Sequence, residues 1–101
     1  MNFQIQAFSM EMDEAQISDL EVYASLMFTK NEIAVIMEVD PHDLHDQIGD
    51  PQSPAGKAFQ RGRLKREAEL RKGIFDLAQN GSSPAQTLAL KLVENAKADD
   101  L

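Results

Sequence analysis

Apolar residues recur along most of this chain at intervals of three and four positions, the spacing that places side chains on one face of an α-helix. The pattern is clearest near the C-terminus, where it comprises Ala85, Leu88, Ala89, Leu92, Val93 and Ala96. A second helical face follows Asp13 and consists of Ile17, Leu20, Ala24 and Met27. The spacing therefore predicts an all-α fold, a small helical domain of about five helices.

Residues 29–48 carry the signals of two short helices joined by a corner. Thr29 and Glu32 are spaced as a capping box, in which each side chain accepts a backbone N–H of the other residue. Asp40-Pro41 then supplies an N-cap followed by a proline at the first helical position. The segment has the dimensions of a helix-turn-helix, whose second helix can lie in the DNA major groove. An ordinary helical corner has the same dimensions, so both interpretations stay open.

Two Ser-Pro pairs begin the longest predicted helices. The first pair precedes residues 54–79, over which we expect one long central helix. The second pair, with Ser83 interpreted as the cap, precedes a C-terminal helix predicted over 84–97. The long helix contains Gly62 and Gly73, and we expect a bend or close packing at one of them.

Composition limits the chain to one modest core. It has 101 residues, 43% of them hydrophobic, and we expect a single helical domain over residues 13–97. Residues 1–12 show only a brief apolar alternation, so we expect an N-terminal arm that is extended or disordered. The absence of cysteine excludes a disulfide framework and a thiol nucleophile. No apolar stretch approaches the roughly 20 residues that cross a bilayer, so we expect no membrane association and a cytoplasmic location.

Charge is distributed unevenly along the sequence, whose formal net charge is −7. Residues 1–50 contain eleven acidic residues and one basic residue, whereas residues 51–72 contain seven basic and two acidic residues. A basic segment inside an acidic protein indicates an electrostatic partner, which is another part of the chain, another subunit or a phosphate backbone.

The long predicted helix is basic on one face and apolar on the other. The basic face carries Lys57, Arg61, Lys65, Arg71 and Lys72. Together with Arg63 and Arg66 of the same helix, these are the residues that we predict to contact phosphates. On roughly the opposite face, which we expect to be core, lie Phe59, Leu70, Ile74 and Leu77. The alternative is that the basic face is merely solvated, or pairs with the acidic first half of the chain.

A second apolar stripe lies within the basic face and consists of Leu64, Ala68 and Phe75. A wholly solvated face does not normally carry such a stripe. We therefore expect the C-terminal helix or another subunit to cover it, and we predict an oligomer interface at these three residues.

The second helix of the corner is less suited to DNA than the basic helix. It carries Asp43 and Asp46 on its outward face, and carboxylates are repelled by the phosphates that line a groove. Other residues must then supply most of the affinity. Weaker candidates for contacts with bases are His42, His45 and Gln47.

No catalytic or metal site emerges from the sequence. His42 and His45 lie about one helical turn apart with Asp46 alongside, but the sequence indicates neither the further ligand nor the second shell that a metal site normally needs. The pair Gly56-Lys57 lacks the glycine spacing and the hydroxyl of a phosphate-binding loop. Because paired carboxylates and a cysteine-histidine pair are also missing, we expect a binding protein rather than an enzyme, with no metal and no cofactor.

Three segments resemble phage-type terminase small subunits, in the order in which those proteins carry them. They are residues 28–34 (FTKNEIA, leading into Val39-Asp40), 58–64 (AFQRGRL) and 77–85 (LAQNGSSPA), which together span 28 to about 93. The resemblance implies a helix-turn-helix protein that recognises viral genomic DNA and often assembles into a ring. It also implies a separate ATP-driven large subunit as a partner, and a bacterial host cell as the location.

The leading hypothesis is therefore an oligomeric adapter that binds double-stranded DNA in viral genome packaging or regulation, contacting the backbone through its basic helix. The alternative is a helical oligomerisation or protein-interaction module of phage or prophage origin with no DNA role. In that module the basic helix would pair with acidic helices of a neighbouring subunit or of another protein.

Overall fold

A computed structural model describes residues 11–101, and these residues form five helices with no strand among them. The helices are α1 (Glu14–Ser25), α2 (Lys30–Met37), α3 (Pro41–Gly49), α4 (Pro54–Gln79) and α5 (Ser83–Asp99). The all-α prediction is confirmed. The arm predicted for residues 1–12 lies almost wholly outside the described residues. Within 11–101, no helix combines the length and the apolar character that a membrane span requires.

Capping boxes explain where the first two helices begin. At the start of α1, the Asp13 carboxylate accepts the Gln16 N–H at 2.8 Å, and the Gln16 side chain accepts the Asp13 N–H at 3.0 Å. At the start of α2, Thr29 and Glu32 make the same two bonds at 3.1 Å and 2.9 Å. The capping box predicted at Thr29 is confirmed. The sequence could predict it because a capping box involves only two residues three positions apart.

A short turn joins α2 to α3 and forms the corner predicted over 29–48. Glu38 has φ 58° and ψ 44°, the left-handed conformation that commonly ends a helix. The next N–H, that of Val39, donates to the Ala34 carbonyl at 3.0 Å. Asp40 then caps α3. The two helices thus have the lengths and the short connection of a helix-turn-helix.

The chain divides into two compact units, Met1–Arg66 and Glu67–Leu101, and α4 contributes to both. The single domain expected over 13–97 stays a prediction. The first unit contains most of the buried apolar side chains, which come from four helices. They are Leu20, Ala24, Ile33, Ala34, Leu44, Ile48, Ala55, Ala58 and Phe59.

Within the first unit, α1 and α4 touch at Gly62. A Cβ placed there would overlap the carbonyl oxygen of Glu21 and crowd the methyl group of Ala24. Only glycine lets the two backbones come so close, so the close packing expected at one of the helix glycines is found at Gly62. At Gly73, in the second unit, α4 is continuous and a Cβ would meet nothing within 4 Å.

In the second unit a tight turn separates the end of α4 from α5. Gly81 has φ 99°, the region that favours glycine, and Ser82 follows with the extended backbone of an N-cap. Its hydroxyl accepts the Ala85 N–H at 3.3 Å. The assignment of Ser83 as the cap is therefore wrong by one residue, because the turn is complete at Gly81 and Ser83 is already helical.

The second unit buries little apolar surface. Its buried residues are Ala85 and Ala89, whereas Leu77 is 57% exposed and Leu90 is 63% exposed. The prediction that Leu70 and Leu77 belong to the core is wrong for this chain, since both side chains are exposed. Small alanine side chains occupy the buried positions, and no larger core forms around the leucines.

Candidate nucleic-acid interface

Glu21 of α1 binds two cationic side chains of α4. Its Oε1 accepts a hydrogen bond from Arg61 Nε at 2.7 Å, and its Oε2 accepts one from Lys65 Nζ at 2.7 Å. Arg61 and Lys65 are four residues apart and so lie on the same face of the helix. The contact forms where Gly62 allows α4 to approach α1. Hydrogen bonds from Lys65 and then Arg61 hold the pKa of the Glu21 carboxyl below its ordinary value.

The two cations remain accessible although they are paired. The side chains of Arg61 and Lys65 are 49% and 64% exposed, while that of Glu21 is only 20% exposed. One carboxylate faces two cations, so the group keeps an excess of one positive charge. Part of each cation is therefore available to an outside anion.

Lys57 extends this surface by one helical turn. It is exposed, and no ion-pair partner for it lies among residues 11–101. Because positions 57, 61 and 65 repeat every four residues, their side chains follow one side of α4. We call Lys57, Arg61 and Lys65 the cationic ridge.

Arg66 and Arg63 instead tie α4 to the C-terminal end of α1 and to the turn that follows it. Arg63 Nη2 donates to the Phe28 carbonyl in that turn at 2.8 Å, and its guanidinium carbon lies 4.5 Å from the centre of the Phe59 ring. Arg66 Nε donates to the Ser25 carbonyl at 2.7 Å. The last turn of α1 has no basic residue of its own, so Arg66 places positive charge at the negative end of its dipole. Both side chains are half-buried.

The remaining predicted phosphate contacts lie in the second unit. Arg71 Nη2 is 2.9 Å from Glu67 Oε1, one turn earlier in α4. Lys72 is exposed, and no ion-pair partner for it lies in the part of the chain that the structure describes. These two residues belong to a different unit from the ridge.

The outward face of α3 is acidic, as the sequence indicates. His42 Nε2 is 3.8 Å from the Asp46 carboxylate, and both side chains are exposed. His45 Nε2 is 2.9 Å from Asn31 Oδ1, so this histidine links α3 to the beginning of α2. Gln47 is half-buried. Residues 38–50 contain five acidic residues and neither lysine nor arginine, so the corner presents negative charge where a DNA-reading helix would need to approach phosphates.

The predicted oligomer interface is exposed in part. Leu64 belongs to the first unit and is 61% exposed, and Ala68 belongs to the second unit and is also exposed. Phe75, also in the second unit, is 37% exposed. Sequence analysis missed further exposed apolar residues of the second unit, among them Leu88 and Leu90. Leu90 lies outside the periodic apolar face of α5, and this position was the sequence signal that its side chain is exposed.

The described residues contain no group of three His, Cys, Asp or Glu side chains placed to hold a metal ion.

Two shallow clefts border Glu21. One, of about 280 Å³, is lined by side chains that include Ser18, Ser25 and Lys65, and the other, of about 430 Å³, reaches Arg61. Solvent therefore reaches the carboxylate and its two cations through these clefts.

No protein-family model matches the chain, and no curated protein or solved structure matches it either.

Proposed function

We propose that this chain is an oligomeric adapter that holds double-stranded DNA by its phosphate backbone, in the manner of the phage terminase small subunits that its sequence resembles. The observation that carries the proposal is the cationic ridge, whose three side chains are exposed along one side of α4. At 1.5 Å per residue the ridge is about 12 Å long, a length over which one DNA strand presents about three phosphates.

Backbone contacts, rather than base contacts, fit the charges of the first unit. The acidic face of α3 disfavours insertion into a groove, while the ridge needs only phosphate oxygens as partners. His42, His45 and Gln47 then contribute little to recognition. We expect affinity to depend weakly on DNA sequence and strongly on ionic strength.

Oligomerisation compensates for the small number of contacts that each copy makes. Three cations bind DNA weakly, but linked copies bind with a much higher effective affinity. The second unit supplies apolar surface for such assembly, because leucines such as Leu77 and Leu90 are exposed while only alanines are buried. A large ATPase subunit is a further expected partner, as the resemblance implies.

Charge reversal on the ridge tests the proposal. Lys57→Glu replaces the ridge cation that has no ion-pair partner among residues 11–101, and so removes one phosphate contact. We therefore expect duplex affinity at about 0.1 M salt to fall at least about tenfold. The matched control is Lys97→Glu, which makes the same charge change in the last turn of α5. Fluorescence anisotropy with a labelled duplex measures both. Equal losses in the two variants would show that overall charge, and not the ridge, controls binding.

A second candidate function is a helical protein-interaction module without a DNA role. The contact of Glu21 with Arg61 and Lys65 favours it, because part of the basic segment already has acidic partners within the chain. Light scattering across a salt series separates the two functions. The module's oligomer would loosen as salt screens its ion pairs and would not change when DNA is added.

A further inference from the structure

Glu21 occupies one hydrogen-bond donor of Arg61 and one of Lys65, two of the three cations that the ridge offers to phosphate. Each of its carboxylate oxygens accepts a bond of 2.7 Å, one from Arg61 and one from Lys65. Carboxylate and phosphate oxygens bind arginine and lysine through the same charge-assisted hydrogen bonds. An N–H that is bonded to Glu21 is therefore not available to DNA at the same time.

We propose that Glu21 is a built-in competitor of DNA phosphate for Arg61 and Lys65. The chain consequently binds duplex DNA less tightly than its basic residues would allow without this carboxylate. The inference rests on the proposed function, because it concerns how the cationic ridge is restrained.

The exposure of the two cations makes displacement feasible. Arg61 and Lys65 are about half-exposed or more, and the clefts that border Glu21 let an anion approach them. Ion pairs at such exposed sites contribute little to stability, so exchange of one anion for another is not strongly opposed. Lys57 lies outside the contact and can hold DNA while Glu21 is being displaced.

The opposite role for Glu21 is to orient the two cations for phosphate. When long side chains are already fixed in the bound geometry, they lose less conformational entropy when DNA binds. A carboxylate that mainly orients its partners helps binding, and its removal weakens the complex. If removing the charge of Glu21 raises duplex affinity, Glu21 competes with DNA. If it lowers duplex affinity, Glu21 orients the two cations.

Glu21→Gln tests the inference, since it keeps the shape of the side chain and removes its charge. Freeing one more phosphate contact per copy should raise duplex affinity about eightfold at about 0.1 M salt. The matched control is Asp19→Asn, which makes the same charge change at an exposed position of α1. We expect the control to change affinity by less than about twofold. Circular dichroism checks that both variants are folded.

A second substitution shows whether the gain passes through the ridge. Lys65→Gln should lower duplex affinity more in the Glu21→Gln background than in the original chain, because Lys65 is released only there. Equal effects in the two backgrounds would contradict competition for this lysine.

The possible outcomes separate the inference from the proposed function. If the original chain binds duplex and Glu21→Gln binds equally or more weakly, the inference is overturned and the proposed function stands. If neither protein binds duplex at about 50 mM salt, both are overturned. If only the Glu21→Gln variant binds duplex, the inference and the proposed function are both supported.

Discussion

At the scale of single residues, the basic segment contains two kinds of cation. Arg66 donates to the Ser25 carbonyl at the end of α1 and Arg63 to the Phe28 carbonyl in the turn that follows, whereas Lys57 has no ion-pair partner among residues 11–101. Their charge alone predicted phosphate contact for all three, although at 100° per residue Arg63 and Arg66 lie on the apolar side of the helix. The partners of Arg63 and Arg66 lie 35 and 41 positions away, and such distant contacts depend on the packing of α1 against α4.

Replacing Arg63 should therefore destabilise the first unit. Arg63→Ala removes the bond to the Phe28 carbonyl and the stacking on Phe59, and we expect the free energy of unfolding to fall by about 1.5–3 kcal/mol. Urea denaturation followed by circular dichroism measures this change. Lys57→Ala serves as the comparison, with an expected change within about 0.5 kcal/mol. Similar losses for the two variants would argue against the structural role of Arg63.

At the scale of helices, local signals were predictable and distant contacts were not. The Thr29 capping box and the corner over 29–48 follow from residues close together in sequence, and both are found in the structure. The salt bridges of Glu21 join positions 40 and 44 residues apart, and no local pattern indicates them. The core assignment of Leu70 and Leu77 failed because helical periodicity identifies an apolar face but not what covers it.

Gly62 and Gly73, both inside α4, should respond to alanine with opposite signs. Gly62→Ala forces a methyl group against the carbonyl of Glu21, so we expect a loss of about 2 kcal/mol or more in the stability of the first unit. Gly73→Ala meets open space and should raise stability by about 0.5–1 kcal/mol through helix propensity. Thermal unfolding of the two variants checks the pair. A tolerated alanine at position 62 would show that α1 and α4 do not touch there.

At the scale of the whole molecule, the chain combines a well-packed first unit with a second unit that exposes large apolar side chains. The first unit buries Leu20, Ile33 and Leu44 completely, whereas the second buries only alanines. Such an imbalance is typical of a chain whose second part is covered by another copy. The sequence predicts an oligomer interface at Leu64, Ala68 and Phe75, and further leucines of the second unit are exposed in the structure.

Leu77→Asp should weaken self-assembly. A charge at this exposed apolar position hardly disturbs an isolated chain, but it opposes burial against another copy. Light scattering coupled to size exclusion should therefore give a lower molar mass than that of the original chain. Val35→Asp, at a position of the first unit that is 75% exposed, is the control and should leave the mass unchanged. A monomeric original chain would contradict the proposed assembly directly.

The most direct test of the central claim is the dependence of duplex affinity on salt concentration. Each phosphate contact contributes a slope of about −0.9 to the logarithm of affinity against the logarithm of salt, so the account predicts at least a tenfold loss between about 50 and 200 mM for an assembled chain. Lys57→Gln should make this slope shallower by about 0.9 for each copy that contacts DNA. A loss of less than about threefold, or a slope that Lys57→Gln leaves unchanged, would contradict the claim that the cationic ridge holds the DNA backbone.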